Sequence, residues 1–484
     1  MADTKVSGLT RLTDPVRGDI VYVVDDPSGT PISKYMTIED GIAGPSILVA
    51  ASDATTNEIK HADYICDGTN DEVQIQAAID ALPATGGTVG LLSGTFNINQ
   101  VGAGPLPATP YCVIIDENDG PIALVGRPGA TKVFLVAGQP MNTAGVLVCG
   151  SDDGAGKRIN PTWIQGIEFD GNDANQGPGW GDFGLVHTNY ANWVTVQGCY
   201  VHDAEVYGVQ ALRNSQYFRA FNNRIAVGSN AGLRVESPNC IVTNNIFIGD
   251  NAIVYPGLMM AANTDIGVVA DYSITTNNLF VGGRYQFIFG GCRYGVIAQN
   301  TFSAQTWASG YALGLLSMTN YEATDNLICN NVFHDIPLAV RSYTANAGWG
   351  GTRNRILNNT IIEGAGVNLA IGIQIDGADN EYNEIIGNLI RNATTAISDT
   401  GTGTVIRDNT GYVTENDGAA AAVADGGTIA HGCAATPTSA QVTGSVANEF
   451  ASVTGIGAAN LTVAIKKHDG TPGTAQTIYW RAWV

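Results

Sequence analysis

With 484 residues, 60 of them glycine, 44% hydrophobic and only 14% charged, the chain can bury a large core but is too glycine-rich and charge-poor for a helical protein. It reads as globular and all-β, built from many short strands. Its 23 basic and 44 acidic side chains give a net charge of -21, which repels nucleic acid and admits a polyanionic polymer only where a basic patch or a bridging cation such as calcium offsets the field.

The first segment, residues 1–45, carries short alternating runs and turn signals ("GDIVYVVDDPSGTPISKYMTIEDG") but too little mass for a core of its own. The start, "MADTKVSGLT", lacks the apolar run of a secretory signal, and no stretch nears the ~20 apolar residues of a membrane span, so membrane insertion is not expected. The eight cysteines are scattered from Cys66 to Cys433 without CxxC or metal-ligand spacing, and several sit in apolar runs; they read as buried thiols. No resident cofactor is indicated, and calcium is the one ion the charge argument leaves open.

"TNDEVQIQAAIDALPATGG" predicts one amphipathic helix over 70–82. Thr69 and Glu72 have capping-box spacing; Ile75, Ala78, Ile79 and Leu82 form an apolar stripe; Pro83, Gly86 and Gly87 stop it. Downstream, "NNRIAV", "NNIFIG", "NNLFVG", "QNTFSA", "NNVFHD", "NNTIIE", "GNLIRN" and "DNTGYV" recur. Their second residues, Asn223, Asn245, Asn278, Asn300, Asn331, Asn359, Asn388 and Asn409, are spaced 22, 33, 22, 31, 28, 29 and 21 apart. A floor of 21 or 22 with variable excess suits stacked β-coils with outward loops. The asparagines would ladder at a bend, and Ile225, Phe247, Phe280, Phe302, Phe333, Ile361 and Ile390, two residues on, would form an inner apolar column. An open coil end exposes unpaired backbone, and the helix is its cover.

The run "DGTND…IQAAIDA…GGTV…L..GTF" followed by Asn-bearing repeats resembles the right-handed parallel β-helix of pectin-lyase-like proteins, over residues 60 to about 415. The resemblance implies that fold, with a capping helix, across 46–417, and leaves the chemistry open, because the fold hosts lyases, hydrolases, epimerases, tailspike depolymerases and non-catalytic fibres. Residues 1–45 are similar to amino-terminal modules of phage virion proteins, which implies attachment to phage tail proteins; a small strand pair is the alternative. The tail, 418–484, alternates with period two and reads as a small antiparallel β-domain; its end, with Trp480 and Trp483, resembles carboxy-terminal segments of phage tail and fibre proteins, and aromatics there suit a homotrimer interface.

Strands beginning at Gly184, Gly208, Gly232, Gly257, Gly314 and Gly372 would form one lateral face. Alternation points Leu185, Val209 and Leu233 inward, and Gln210, Arg234 and Glu236 outward, the last two about 6 to 7 Å apart. A carboxylate beside an arginine suits acid/base hydrolysis or stabilisation of a uronate. Asp203 and Glu205 are the candidate second carboxylates, with Asp170, Asp173 and Asp182 as others. His187 falls inward on simple alternation and becomes a catalytic base or acid if the register shifts by one. Arg213 joins the substrate-binding candidates, as do Trp180 and Asp182 in the loop 170–183 and Trp307 and Tyr311 in "SAQTWASGYALG", whose rings would stack on sugar. The leading expectation is a virion or extracellular tailspike-type depolymerase acting on a polysaccharide as hydrolase or lyase. The alternatives are a non-catalytic glycan-binding fibre and a secreted lyase or epimerase.

Overall fold

The Asn-bearing repeats wind into parallel coils, three short strands to a turn, so each strand pairs with its equivalent one turn on. The computed structural model describes residues 20–25, 32–37, 46–100, 111–116, 118–139, 145–150, 158, 160–177, 184–212, 215–226, 228, 230–249, 256–262, 267–305, 310–344, 348–363 and 369–484. The chain divides into two units, 1–233 and 234–484. The fold is the right-handed parallel β-helix, nearly all β.

In the first unit, the first wall stacks Tyr111–Ile115, Gly145–Gly150, Gly184–Asn189 and Tyr207–Leu212 in parallel. The second runs from Ser46–Ala50 through Gly87–Leu91 to Arg219–Phe221. The third stacks Gly94–Ile98, Thr131–Leu135, Glu168–Asp170, Tyr200–His202 and Arg224–Ala226. Strands Ile20–Asp25 and Ile32–Thr37 pair antiparallel.

The expected helix is Glu72–Asp80, and it packs on the first strand of all three walls, as an end cover must. Ile75, Ala78 and Ile79 are buried beneath it. Its start differs from expectation: no capping box forms, and Thr69 bonds Asp67 instead. Asp71 accepts from the Gly68 and Asn97 amides, and Glu72 from that of Asn99 at 2.8 Å. These carboxylates tie the helix to the first coil rather than satisfying its own amides. The capping box sits one helix earlier, at Thr55 and Glu58 of helix Thr56–His61, a T-x-x-E signal passed over in the sequence.

The second unit repeats the design. Its first wall stacks Leu258–Ala261, Tyr285–Gly290, Tyr311–Ser317, Leu338–Thr344, Ile371–Asp376 and Thr395–Asp399. The asparagine ladder is continuous from Asn245 to Asn409, each Nδ2 donating to the next Oδ1 at 2.9 to 3.0 Å. Each Oδ1 also accepts a backbone amide one coil back. The first residue of each pair does the other half of the work: Asn244, Asn277, Gln299, Asn330, Asn358 and Asp408 hold φ between 54° and 59°, the left-handed bend. A second ladder, Asn326 to Asn354, runs beside it at 2.9 Å. Inside, Phe247, Phe280, Phe302 and Phe333 stack at centroid spacings of 4.8, 4.7 and 4.7 Å, the rise of one coil.

From Glu415 the chain forms two three-stranded sheets, antiparallel throughout. Val423, Ile429, Val463, Ile465 and Ile478 form their shared core, and Trp480 packs against it. Trp480 was expected at a subunit interface; alternation on the last strand turns it inward.

Candidate functional site

Register on the first wall decides the fate of the expected lateral site. Val186 pairs with Val209 and His187 with Gln210, so Gly184 aligns with Tyr207, one residue from the expected match. His187 therefore shares a column with Gln210. The column is closed: every residue of Gly184–Asn189 and Tyr207–Leu212 is buried, and His187 Nδ1 lies 3.0 Å from Gln210 Oε1, which also accepts the Gly184 amide. An open sugar-facing surface was expected at Gln210; the described structure has none there.

Arg234 and Glu236, in the second unit, are not separate outward groups. Arg234 Nε donates to Glu236 Oε1 at 2.6 Å, and the Glu236 side chain is only 2% exposed. The pair reads as an internal tie rather than an open acid/base site. Arg213, Trp180, Asp182 and Trp307 lie outside the described residues. Tyr311 is buried, against the expectation of an exposed stacking ring: its hydroxyl meets that of Tyr343 at 2.5 Å and its ring lies 4.6 Å from that of Tyr285. Its ring fills the space over Gly314, where a Cβ would come within 2.4 Å of it. Burial pushes the Tyr311 phenol well above its ordinary value. Arg341 lies over the Tyr343 ring and bonds Asp376 at 2.6 Å, closing that network.

Asp203 does join a polar constellation, on the third wall of the first unit. Val133, Phe169 and Val201 fill the interior there, so alternation sends two registered columns outward. One is Lys132, Glu168 and Tyr200; the other is Phe134, Asp170 and His202. Lys132 Nζ lies 2.5 Å from Asp170 Oδ2 and 3.4 Å from Glu168 Oε1. His202 bridges two acids: Nε2 is 3.3 Å from Glu168 Oε1 and Nδ1 is 2.7 Å from Asp203 Oδ2. Asp203 stands at φ 50°, the bend that leaves the wall, which turns its carboxylate back onto the histidine.

Rings and cations frame the carboxylates. Tyr200 stacks on His202 at 4.3 Å, the Arg224 guanidinium lies 4.9 Å from the Tyr200 centroid, and Lys132 lies 5.1 Å from that of Phe134. Partial burial pulls the Lys132 ammonium down, but Asp170 and Glu168 outweigh it and hold it above its ordinary value. Glu205 is half-buried at the turn before the next first-wall strand.

Glu168, Asp170 and His202 present ligand atoms within 4.8 Å of one another. They do not suit calcium, which takes six to eight oxygens: one of the three donors is a nitrogen, and the Lys132 ammonium already sits on Asp170. Lys132, Glu168, Tyr200 and Arg224 were not singled out in the sequence. Their signal was the period-two pattern of "TKVFL", "EFD" and "YVH", read only on strands that begin with glycine.

No family model and no curated protein sequence matches the chain. Solved structures do. The A-module of an Azotobacter vinelandii mannuronan C-5 epimerase matches at 18% identity and TM-score 0.49, covering 71% of this chain and 95% of that one. A Pseudomonas phage tailspike matches at 13% and 0.47, covering 84% and 91%. The Streptococcus pneumoniae surface adhesin PfbA matches at 16% and 0.47, covering 70% and 95%. These likenesses do not bear on chemistry.

Proposed function

We propose that the protein binds a polysaccharide along the outer third wall of its first unit and cleaves it, as a tailspike-type depolymerase, with Glu168 and Asp170 as the reacting carboxyl pair. The observation that carries this reading is the side-by-side pair itself, with oxygens within 4.8 Å, flanked by the Tyr200 ring and Arg224. Retaining glycosidases hold their two carboxyl groups roughly 5–5.5 Å apart, and inverting ones wider. Glu168, the more open of the two with 26% of its side chain exposed against 9% for Asp170, is placed to pass a proton to the leaving oxygen. Asp170, paired with Lys132, is placed to meet the positive charge that develops at the sugar. His202, oriented by Asp203, is the positioning residue for Glu168. Virion attachment through residues 1–45 and assembly as a homotrimer belong to the same reading.

The test is incubation with a panel of bacterial capsular and exopolysaccharides. New reducing ends without the ultraviolet absorbance of an unsaturated uronate are expected, and Glu168→Gln and Asp170→Asn should each lower the rate by about 10²–10⁴. An absorbing product points to elimination; full activity in both variants sinks the assignment. The second reading, a non-catalytic glycan-binding fibre, draws on Lys132, which already pairs with both carboxylates as in a structural ion cluster. Retention of a polysaccharide without any product decides for it.

A further inference from the structure

The carboxy-terminal sheet carries an exposed face that the catalytic reading does not use. Its central strand Gln476–Trp483 lies between Glu415–Val423 and Ser439–Gly444. Ile478, Trp480 and Ala482 turn to the inner side, so Tyr479, Arg481 and Trp483 share the outer one. In register, Ala419 and Thr443 flank Tyr479, and Asp417 and Gln441 flank Arg481. Tyr479 is 56% exposed, with only small neighbours at its sides. One row along, about 6.6 Å away by strand geometry, stand a guanidinium, a carboxylate and an amide. A hollow of about 570 Å³ spans these rows, and a second, of about 490 Å³, lies against Trp483 and Tyr412.

We infer that this face binds a neutral oligosaccharide, with one pyranose stacked on Tyr479 and its hydroxyls bonded by Arg481, Asp417 and Gln441. A flat, unhindered phenol offers its ring to the apolar face of a sugar, and the next row supplies both donors and acceptors, which a polyol needs and an apolar partner does not. Arg481 is ion-paired with Glu415, so with Asp417 the rows hold one net negative charge, in a chain of net charge -21. An anionic polymer is disfavoured there. A second copy of the chain is disfavoured too. Eight residues of strand by three strands make a face of roughly 26 Å by 14 Å, on the order of 350 Å², well under the ~800 Å² per partner of a stable interface. Asp417 and Glu415 on this face are of types depleted from interface centres.

The test is titration of the full-length protein with neutral hexasaccharides (gluco-, manno-, galacto- and N-acetylglucosamine-based), followed by calorimetry and by tyrosine and tryptophan fluorescence. At least one should bind. Tyr479→Ala should weaken it roughly tenfold or more and Tyr479→Phe should retain it, since stacking needs the ring and not the hydroxyl. Tyr479→Ala should leave the release of reducing ends from a cleaved polymer unchanged, so failure of the cleavage reading and failure of this one are told apart. Absence of binding by every hexasaccharide, or equal binding by Tyr479→Ala with an unchanged melting temperature, overturns the inference. So does a Tyr479→Ala protein that changes its sedimenting mass, which assigns the face to a second copy.

Discussion

His202 Nδ1 lies 2.7 Å from Oδ2 of Asp203, its neighbour in the chain, and this contact aims the opposite ring nitrogen at Glu168. If Asp203 acts by orienting the ring, Asp203→Asn should lower kcat by roughly tenfold or more and leave KM within about twofold, because the amide no longer fixes the tautomer. A merely structural role would shift the melting temperature and leave the kcat-to-KM split unmoved. Steady-state kinetics on whichever polymer is cleaved supplies both numbers.

The asparagine ladder is a load shared along the coils, and Asn331 sits in its middle. Its Oδ1 accepts from both Asn300 Nδ2 and the Asn300 amide, and its own Nδ2 donates to Asn359 and to Ile297 O. Asn331→Ala leaves the buried Asn300 amide without an acceptor and Ile297 O without this donor, at a cost of about 1–3 kcal/mol, while Asn300 Nδ2 keeps Thr275 O and Ala298 O. Faster amide exchange in the coils that contain Asn300 and Asn359, and a lower unfolding midpoint, are the expected outcome; unchanged exchange there means water fills the gap.

Thiol chemistry tests the cysteine reading. All eight are free; six are buried, and Cys329 and Cys433 are partly so. Burial raises the Cys149 thiol to about 12 and Cys199 to about 11, so few thiolates form at neutral pH. Native protein treated with Ellman's reagent should release at most two equivalents at a measurable rate, against eight after denaturation.

Acid should loosen the helix Thr56–His61 before the coils. The Thr55 hydroxyl, 2.7 Å from Glu58 Oε2, holds that carboxyl down to about 2 from an ordinary 4.5. The pKa is depressed in the fold, so the carboxylate stabilises the cap above 4.5, and that contribution fades as pH falls toward 2. Amide exchange over 55–61, corrected for its intrinsic pH dependence, should rise across that window, and Glu58→Gln should abolish the rise. Thr55 and the paired Arg127 are exposed, which keeps the effect small and salt-sensitive.

The repeat was legible because it depends on spacing alone. Asn278 and Phe280 declare a ladder and an inner stack from sequence, and a coil has nowhere else to put a buried amide and a phenyl ring recurring at its own rise. Even so, the division of labour in "NN", with Asn277 in the left-handed bend and Asn278 in the ladder, appears only in the backbone angles.

Site residues were less legible, for two reasons. Alternation gives a side but not a register: one residue of slip put His187 beside Gln210 and buried both. Nor does a local pattern say which outward positions stay open, and Tyr311 and Glu236 turned out to be sealed by Tyr343 and Arg234.

By itself, the sequence determined the coil, its period, its polar bend and its terminal cover, since those follow from short-range spacing and from the need to satisfy buried amides. Tertiary structure alone decided which charges meet. Lys132, Glu168 and His202 come from three different turns, 36 and 34 residues apart, and only the parallel stacking of those turns sets an ammonium, two carboxylates and an imidazole within bonding distance.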